Sequence, residues 1–224
     1  MKNKRFKDGG GFTLIELLVV IAIIAILAVV VILTLNPAQL LAQARDSNRT
    51  SDMATLKSAI SLYLADVSST FIGTSTICYV SAPFYSGSNI MIPNSATTAT
   101  TTFVASTTCA NWMALNSGGT VNATSSRGIS GLNAGILTGW LPINFSAISA
   151  GSPVGNLPVD PNNNTNLSGK GAYYSYEPQT SNNTFKLGAF MESTKYQAGG
   201  SGDVETNDGG NNVNVFEGGT NPGL

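Results

Sequence analysis

The chain has 224 residues, room for one globular domain with or without an anchor. Charged residues are only 10% of it and the net charge is −1, so no basic surface indicates nucleic acid as a partner. Histidine is absent, which excludes Ser–His and Cys–His nucleophiles and His-ligated zinc.

The first eleven residues hold Lys2, Lys4, Arg5, Lys7 and Asp8, a basic head that ends in Gly9-Gly10-Gly11. Residues 12–35 come next as 24 positions interrupted in their hydrophobicity only by Thr13, Glu16 and Thr34. As a helix this run would extend about 36 Å, enough to cross a bilayer core of ~30 Å. Basic residues before it predict an N-terminus in the cytoplasm and export of the chain beyond the apolar run. A cleaved secretory signal is the first alternative, and Ala42-Gln43-Ala44 fits its small-x-small cleavage pattern. The apolar run is too long for such a signal, and that site lies well past its end. A plain single-pass anchor is the second alternative, but it leaves Glu16 and the glycines unexplained. A carboxylate in a lipid-facing helix is costly and marks a functional position unless it reaches the interface.

Gly9-Gly10-Gly11-Phe12-Thr13-Leu14-Ile15-Glu16 resembles the processing site of type IV pilins and type II secretion pseudopilins. The resemblance covers about the first 35 residues. It implies that a prepilin peptidase cuts after Gly11, that Phe12 becomes the N-methylated first residue, and that Glu16 directs assembly. In this family the carboxylate of an incoming subunit pairs with the terminal amine of a neighbour in the filament core. Leaving either charge unpaired there is the larger penalty, so the pair selects one axial register. Relatives often carry a glycine and a proline where this chain has Ala25 and Leu33. The nearby proline here is Pro37, so the bend is expected there, in an otherwise single helix over residues 12–66.

Beyond Pro37, Met53, Leu56, Ile60, Tyr63 and Val67 recur at steps of three and four, one face of an amphipathic helix. Arg45, Asp46, Arg49, Asp52 and Lys57 supply polar positions around it. A coiled-coil stalk is the alternative, but heptads stop at Val67. Residues 69–171 read as a neutral loop region rich in Ser, Thr, Asn and Gly, with residues 94–108 of low complexity. That segment reads as a neutral solvated loop or as a glycosylated or adhesive surface. The Asn-x-Ser/Thr sequons at Asn122, Asn144, Asn163, Asn166 and Asn182 arise by chance in so Asn-rich a chain. Cys78 and Cys109 flank residues 94–108, and in an exported domain they read as a disulfide. Closing that loop would stabilise the fold by roughly 3–4 kcal/mol in the chain-entropy model.

Residues 172–177 and 184–190 are short β-type runs around a turn-rich link at 178–183, which predicts a hairpin. Residues 213–216 are expected as a third strand. The fold class is therefore α+β, a long N-terminal helix packed on a small antiparallel sheet, as the resemblance also implies. The segments are a leader (1–11), an apolar helix (12–36), its amphipathic half (37–68), the loop region (69–171), and the sheet with a C-terminal loop (172–224).

Leu157-Pro158-Val159-Asp160-Pro161 resembles the Leu-Pro-x-Asp-Pro segment of major pseudopilins, some of which bind calcium in a late acidic loop. Asp203, Glu205 and Asp208, among glycines in residues 199–210, are the matching calcium candidates, without EF-hand spacing and with a solvated loop as the alternative. No other cofactor is expected. The resemblance implies a non-enzymatic filament subunit held in the plasma membrane before assembly. Its partners are then membrane lipid, identical subunits, prepilin peptidase, and an inner-membrane assembly platform with its ATPase complex. Adhesion, motility, DNA uptake and secretion are the roles such fibres serve. The rival from another class is an exported binding protein or enzyme on a simple anchor. Its acids are scattered along the chain, which disfavours a catalytic centre.

Overall fold

The structure is a computed structural model and describes residues 11–75, 77–81, 120–133, 136–163 and 172–223. Residues 1–10, residues 94–108 and Cys109 lie outside these residues. Two compact units divide between Leu41 and Ala42.

In the first unit, helix α1 spans Leu14–Leu35 and helix α2 begins at Pro37, running to Asp66. The single helix expected over residues 12–66 is thus two helices. The break lies at Asn36, whose φ of 40° and ψ of 75° are left-handed. Asparagine tolerates that conformation better than other side-chain-bearing residues. Pro37 enforces the break, because its ring disfavours a helical residue before it and clashes with the carbonyl four residues back. Proline is at the same time well placed at the first position of a new helix, where its missing N–H costs nothing. The Asn36 carbonyl accepts from Gln39 N–H at 3.0 Å and so starts the new ladder.

In the second unit, the predicted apolar face of α2 is buried: Met53, Leu56, Ile60 and Tyr63 all enter the core, and Val67 packs against it from just beyond the helix. The sheet they face has the order β2-β1-β5-β6-β7. Its strands are β1 (Ile77–Val80), β2 (Thr120–Ala123), β5 (Tyr174–Gln179), β6 (Thr184–Ala189) and β7 (Phe216–Gly219). Between them in sequence, β3 (Arg127–Asn133) and β4 (Ile136–Gly139) form a separate antiparallel pair. Tyr174, Tyr176, Phe185 and Leu187 join the α2 face in one core together with Trp140, Ile143 and Phe145. The buried polar atoms of these rings find acceptors: Trp140 Nε1–H donates to the Pro158 carbonyl at 2.8 Å, and the Tyr176 hydroxyl to that of Ile72 at 2.8 Å. Full burial of a side chain such as Leu56 is worth about 1.5–3 kcal/mol.

The hairpin is where the sequence placed it, with β5 and β6 antiparallel from Tyr174↔Ala189 to Gln179↔Thr184. Three features differ from expectation. The 69–171 region, expected as loop, contains β1 to β4, because strands need side chains that fit a pleated surface rather than charge. The pairing of β1 with β2 is parallel, so the sheet is not wholly antiparallel. The last strand starts at Phe216, the residue where the expected strand was to end. Asn212 takes the preceding residues into a turn, its carbonyl accepting from Val215 N–H and its side chain from Asn214 N–H at 3.0 Å. Strand β7 ends on Gly219 at φ +127°, where a Cβ would lie 2.1 Å from the Phe185 carbonyl oxygen.

Candidate assembly site

Three of the sequence-predicted residues sit together at the start of α1. A side chain added at Gly11 would meet nothing within 4 Å among the described residues. No contact among the described residues calls for glycine at this position. Phe12 is 87% exposed. Thr13 is the N-cap of α1 and Glu16 its third residue, and together they form a reciprocal capping box. Thr13 N–H donates to Glu16 Oε2 at 2.9 Å, and the Thr13 hydroxyl to the same oxygen at 2.8 Å. In return Glu16 N–H donates to Thr13 Oγ1 at 3.3 Å. Sequence reasoning singled out Glu16 but missed Thr13, although Thr-x-x-Glu before an apolar run is the signature of this box. A helix N-terminus also favours a carboxylate in its first turn through the macrodipole. Both bonds from Thr13 fall on Oε2, so Oε1 keeps its lone pairs for another donor.

The helix below this cap is apolar all round. Residues 14–32 form one segment long and apolar enough to cross a membrane, with every residue exposed. Such a surface requires lipid or other apolar helices around it.

In the second unit the Leu-Pro-x-Asp-Pro segment is tied down at each step. Arg127 and Leu157 exchange bonds, Arg127 Nε to the Leu157 carbonyl at 2.7 Å and Leu157 N–H to the Arg127 carbonyl at 2.9 Å. Asp160 is fully buried and receives the Arg49 guanidinium bidentately, Nε to Oδ2 at 2.7 Å and Nη2 to Oδ1 at 2.9 Å. Arg49 also reaches Asp46 Oδ1 at 2.8 Å and the carboxylate of Glu192, which Arg45 Nε holds at 3.0 Å. Asp46 in turn accepts the backbone N–H groups of Glu192 at 2.9 Å and Ser193 at 2.8 Å. One helix, the Asp160 loop and the segment after β6 are thus fastened around a buried arginine. Burial pushes the Glu192 carboxyl up, but its bonds to Arg45 and Arg49 outweigh this and leave it below its ordinary value.

The three calcium candidates do not converge. Asp203 caps its own turn, accepting N–H bonds from Gly199 at 2.8 Å and from Glu205 and Thr206 at 3.0 Å each. Glu205 is buried and accepts from Met191 N–H at 3.2 Å and Ala198 N–H at 3.0 Å. Asp208 accepts from Gly210 N–H at 2.8 Å and from Glu217 N–H. Among the described residues, no group of three metal-ligating side chains is placed to hold an ion.

The Thr206 hydroxyl, followed by the backbone donors, holds the Asp203 carboxyl down at about 2, against 3.8 for an ordinary aspartate. A depressed acid contributes stability above its unfolded value and loses it as pH falls through the folded one. Asp203→Asn should therefore flatten the loss of thermal stability between about pH 4 and pH 2, read as midpoint against pH beside the wild type. An unchanged slope in that window would show that this carboxylate is not a source of acid sensitivity. Cys78 lies fully buried in β1, while its expected partner Cys109 is outside the described residues.

A family profile described as the prokaryotic N-terminal methylation motif matches residues 7–32. No curated protein and no solved structure gives a significant match. The matched residues contain the Gly11–Phe12 junction, the Thr13–Glu16 cap and nearly all of the exposed apolar helix. Such a motif marks a membrane-anchored precursor of a structural kind, processed by prepilin peptidase and assembled into filaments, and residues 7–32 of this chain carry that prepilin and pseudopilin signature.

Proposed function

We propose that this chain is a structural subunit of a type IV pilus-like surface filament, without catalysis of its own. It is stored in the inner membrane with its N-terminus in the cytoplasm, cut after Gly11, methylated on Phe12, and polymerised through α1. The observation that carries this reading is Gly11-Phe12 placed directly before a capped apolar helix, exposed throughout residues 14–32, with Glu16 in its first turn. Extraction from the membrane falls to an assembly platform and its ATPase, and identical subunits then replace lipid around α1. A pseudopilin of a secretion or DNA-uptake system is the second reading. The Leu157 to Pro161 motif favours it, since its Asp160 is built into the head through Arg49. The reading calls for no cofactor. The buried position of Cys78 supports a bridge to Cys109 in the exported head.

The mature N-terminus tests this directly. Mass spectrometry of the chain from its native membranes should find N-methylated Phe12, and Gly11→Leu should accumulate uncut precursor. A chain still beginning at Met1, or one cut after Ala44, overturns the proposal. Imaging of filaments sheared from cells separates the two readings: long surface fibres indicate a pilus, and their absence alongside a secretion defect indicates a pseudopilus.

A further inference from the structure

We propose that Lys186 and Asn211 become joined by an intramolecular amide bond that the folded head forms on itself, with Glu217 as the proton-transfer group. Lys186 lies in β6 with its side chain wholly buried, whereas Lys57 and Lys195 are exposed. Its Nζ donates to Asn211 Oδ1 at 2.8 Å, which places the amine against the side-chain amide carbonyl. The same Nζ touches Oε1 of Glu217, whose side chain is also wholly buried. Amine, amide and carboxyl group thus meet at one point.

The sheet register brings this about. Glu217 in β7 stands opposite Gly188, two residues from Lys186 and therefore on the same face of the sheet. Glu177 of β5 is directly opposite Lys186 on that face and is buried as well. Residues 208–212 arch over the group. Asn212 N–H donates to Glu217 Oε2 at 2.7 Å, and Glu217 N–H donates to Asp208. A Cβ at Gly210 would lie 1.9 Å from Glu217 Oε2, so only glycine lets the loop close down on the carboxylate. These contacts fix Glu217 and deliver Asn211 to the lysine. A buried Lys–Glu pair is often no more stabilising than apolar residues of equal volume, so stability alone gives little reason for this cluster.

The chemistry balances without any added reagent. Glu217 takes one proton from the Lys186 ammonium, leaving a neutral amine with a free lone pair. Nζ attacks Asn211 Cγ and a C–N bond forms, while the carbonyl π-pair moves to Oδ1. The protonated Glu217 gives its proton to Nδ2. The Cγ–Nδ2 bond breaks, the carbonyl reforms, and ammonia leaves. The second proton of the former ammonium passes to the departing ammonia or to solvent. Asn211 is exposed, so the leaving group has a path out. Holding the reactants in contact gives the step an effective concentration of order 10⁵–10⁸ M.

Intact-mass spectrometry of the full chain, purified in detergent from native membranes, tests the bond. The expected mass is below that of the cut and N-methylated sequence by one ammonia, beyond any two hydrogens lost to a disulfide. Proteolysis should then release one branched species carrying both Lys186 and Asn211. Asn211→Ala should restore the lost mass and give separate peptides, and Asn211→Asp should link with loss of water in place of ammonia. Glu217→Gln should link about a hundredfold or more slowly in freshly made protein. Separate Lys186 and Asn211 peptides in the wild type overturn the proposal. So does an ammonia loss confined to the Asn211 peptide, which marks a succinimide instead. Linkage of Glu217→Gln at the wild-type rate overturns the role given to Glu217.

Discussion

Glu16→Gln should be processed and methylated like the wild type, stay in the membrane, and yield at least about tenfold fewer filaments. The choice of glutamine comes from the capping box. Glutamine at the third helical position can still accept from Thr13 N–H, so the start of α1 is kept while the charge is removed. Glu16→Leu removes both. Comparing the two separates a local role in the helix from a role between subunits. If the carboxylate matters as a charge, both variants fail alike. In that case Oε1 is the atom available to a neighbour's terminal ammonium while Oε2 keeps its bonds to Thr13. If Glu16→Gln assembles at wild-type levels while Glu16→Leu does not, the cap is what assembly needs, and pairing of charges is not. Thr13→Ala gives the complementary reading, costing the helix about 1 kcal/mol through its lost cap while leaving the charge in place. Filament yield by shearing and immunoblot, normalised to processed subunit, is the measurement.

The second large effect is expected at Arg49. Arg49→Met leaves Asp46, Asp160 and Glu192 facing one another with Arg45 as the remaining cation of the cluster. Breaking a buried ion pair from one side costs about 3–5 kcal/mol, because the surviving charges stay desolvated. The head should therefore unfold at markedly lower denaturant, measured on the full chain in detergent. Arg49→Lys should recover little, since an ammonium cannot span Asp160 bidentately and reach Asp46 and Glu192 as well. Arg49→Met combined with Asp160→Asn should recover part of the loss by removing one stranded charge. A double variant no better than Arg49→Met would mean that packing around the guanidinium, rather than charge, sets the cost. The carboxyl of Glu192 lies below its ordinary 4.5, so its share of this stability is complete above that pH and fades as pH falls through its folded value.

How legible these features were differs with the distance over which each acts. The α2 face was readable because a period of three and four residues is written locally, and the β5–β6 hairpin because two strands flank a turn-rich link. The break at Asn36 was half legible. Pro37 was recognised, but the aptitude of asparagine for the left-handed conformation makes it a helix end rather than a bend. Strands β1 to β4 were hidden because Ser, Thr, Asn and Gly dominate their surroundings, and because β1 finds its partners β2 and β5 far along the chain. The Arg49 cluster lay beyond local reading for the same reason, since Asp160 and Glu192 are 111 and 143 residues away and only Asp46 is near in sequence. At the candidate assembly site the reverse held. Gly11, Phe12 and Glu16 were legible as a motif, whereas the part of Thr13 shows in the reciprocal bonds of the capping box. Cys78 and Cys109 stay an expectation.

The Asn36–Pro37 junction also bears on which changes of length the chain can tolerate. In an uninterrupted helix, one inserted residue turns everything after it by about 100° and shifts the hydrogen-bond register of the whole ladder. Here the hydrogen-bond ladder stops at Leu35 and restarts at Pro37, so a frame error introduced in α1 ends where that ladder ends. An insertion or deletion within α1 thus leaves the hydrogen-bond ladder of α2 as it is.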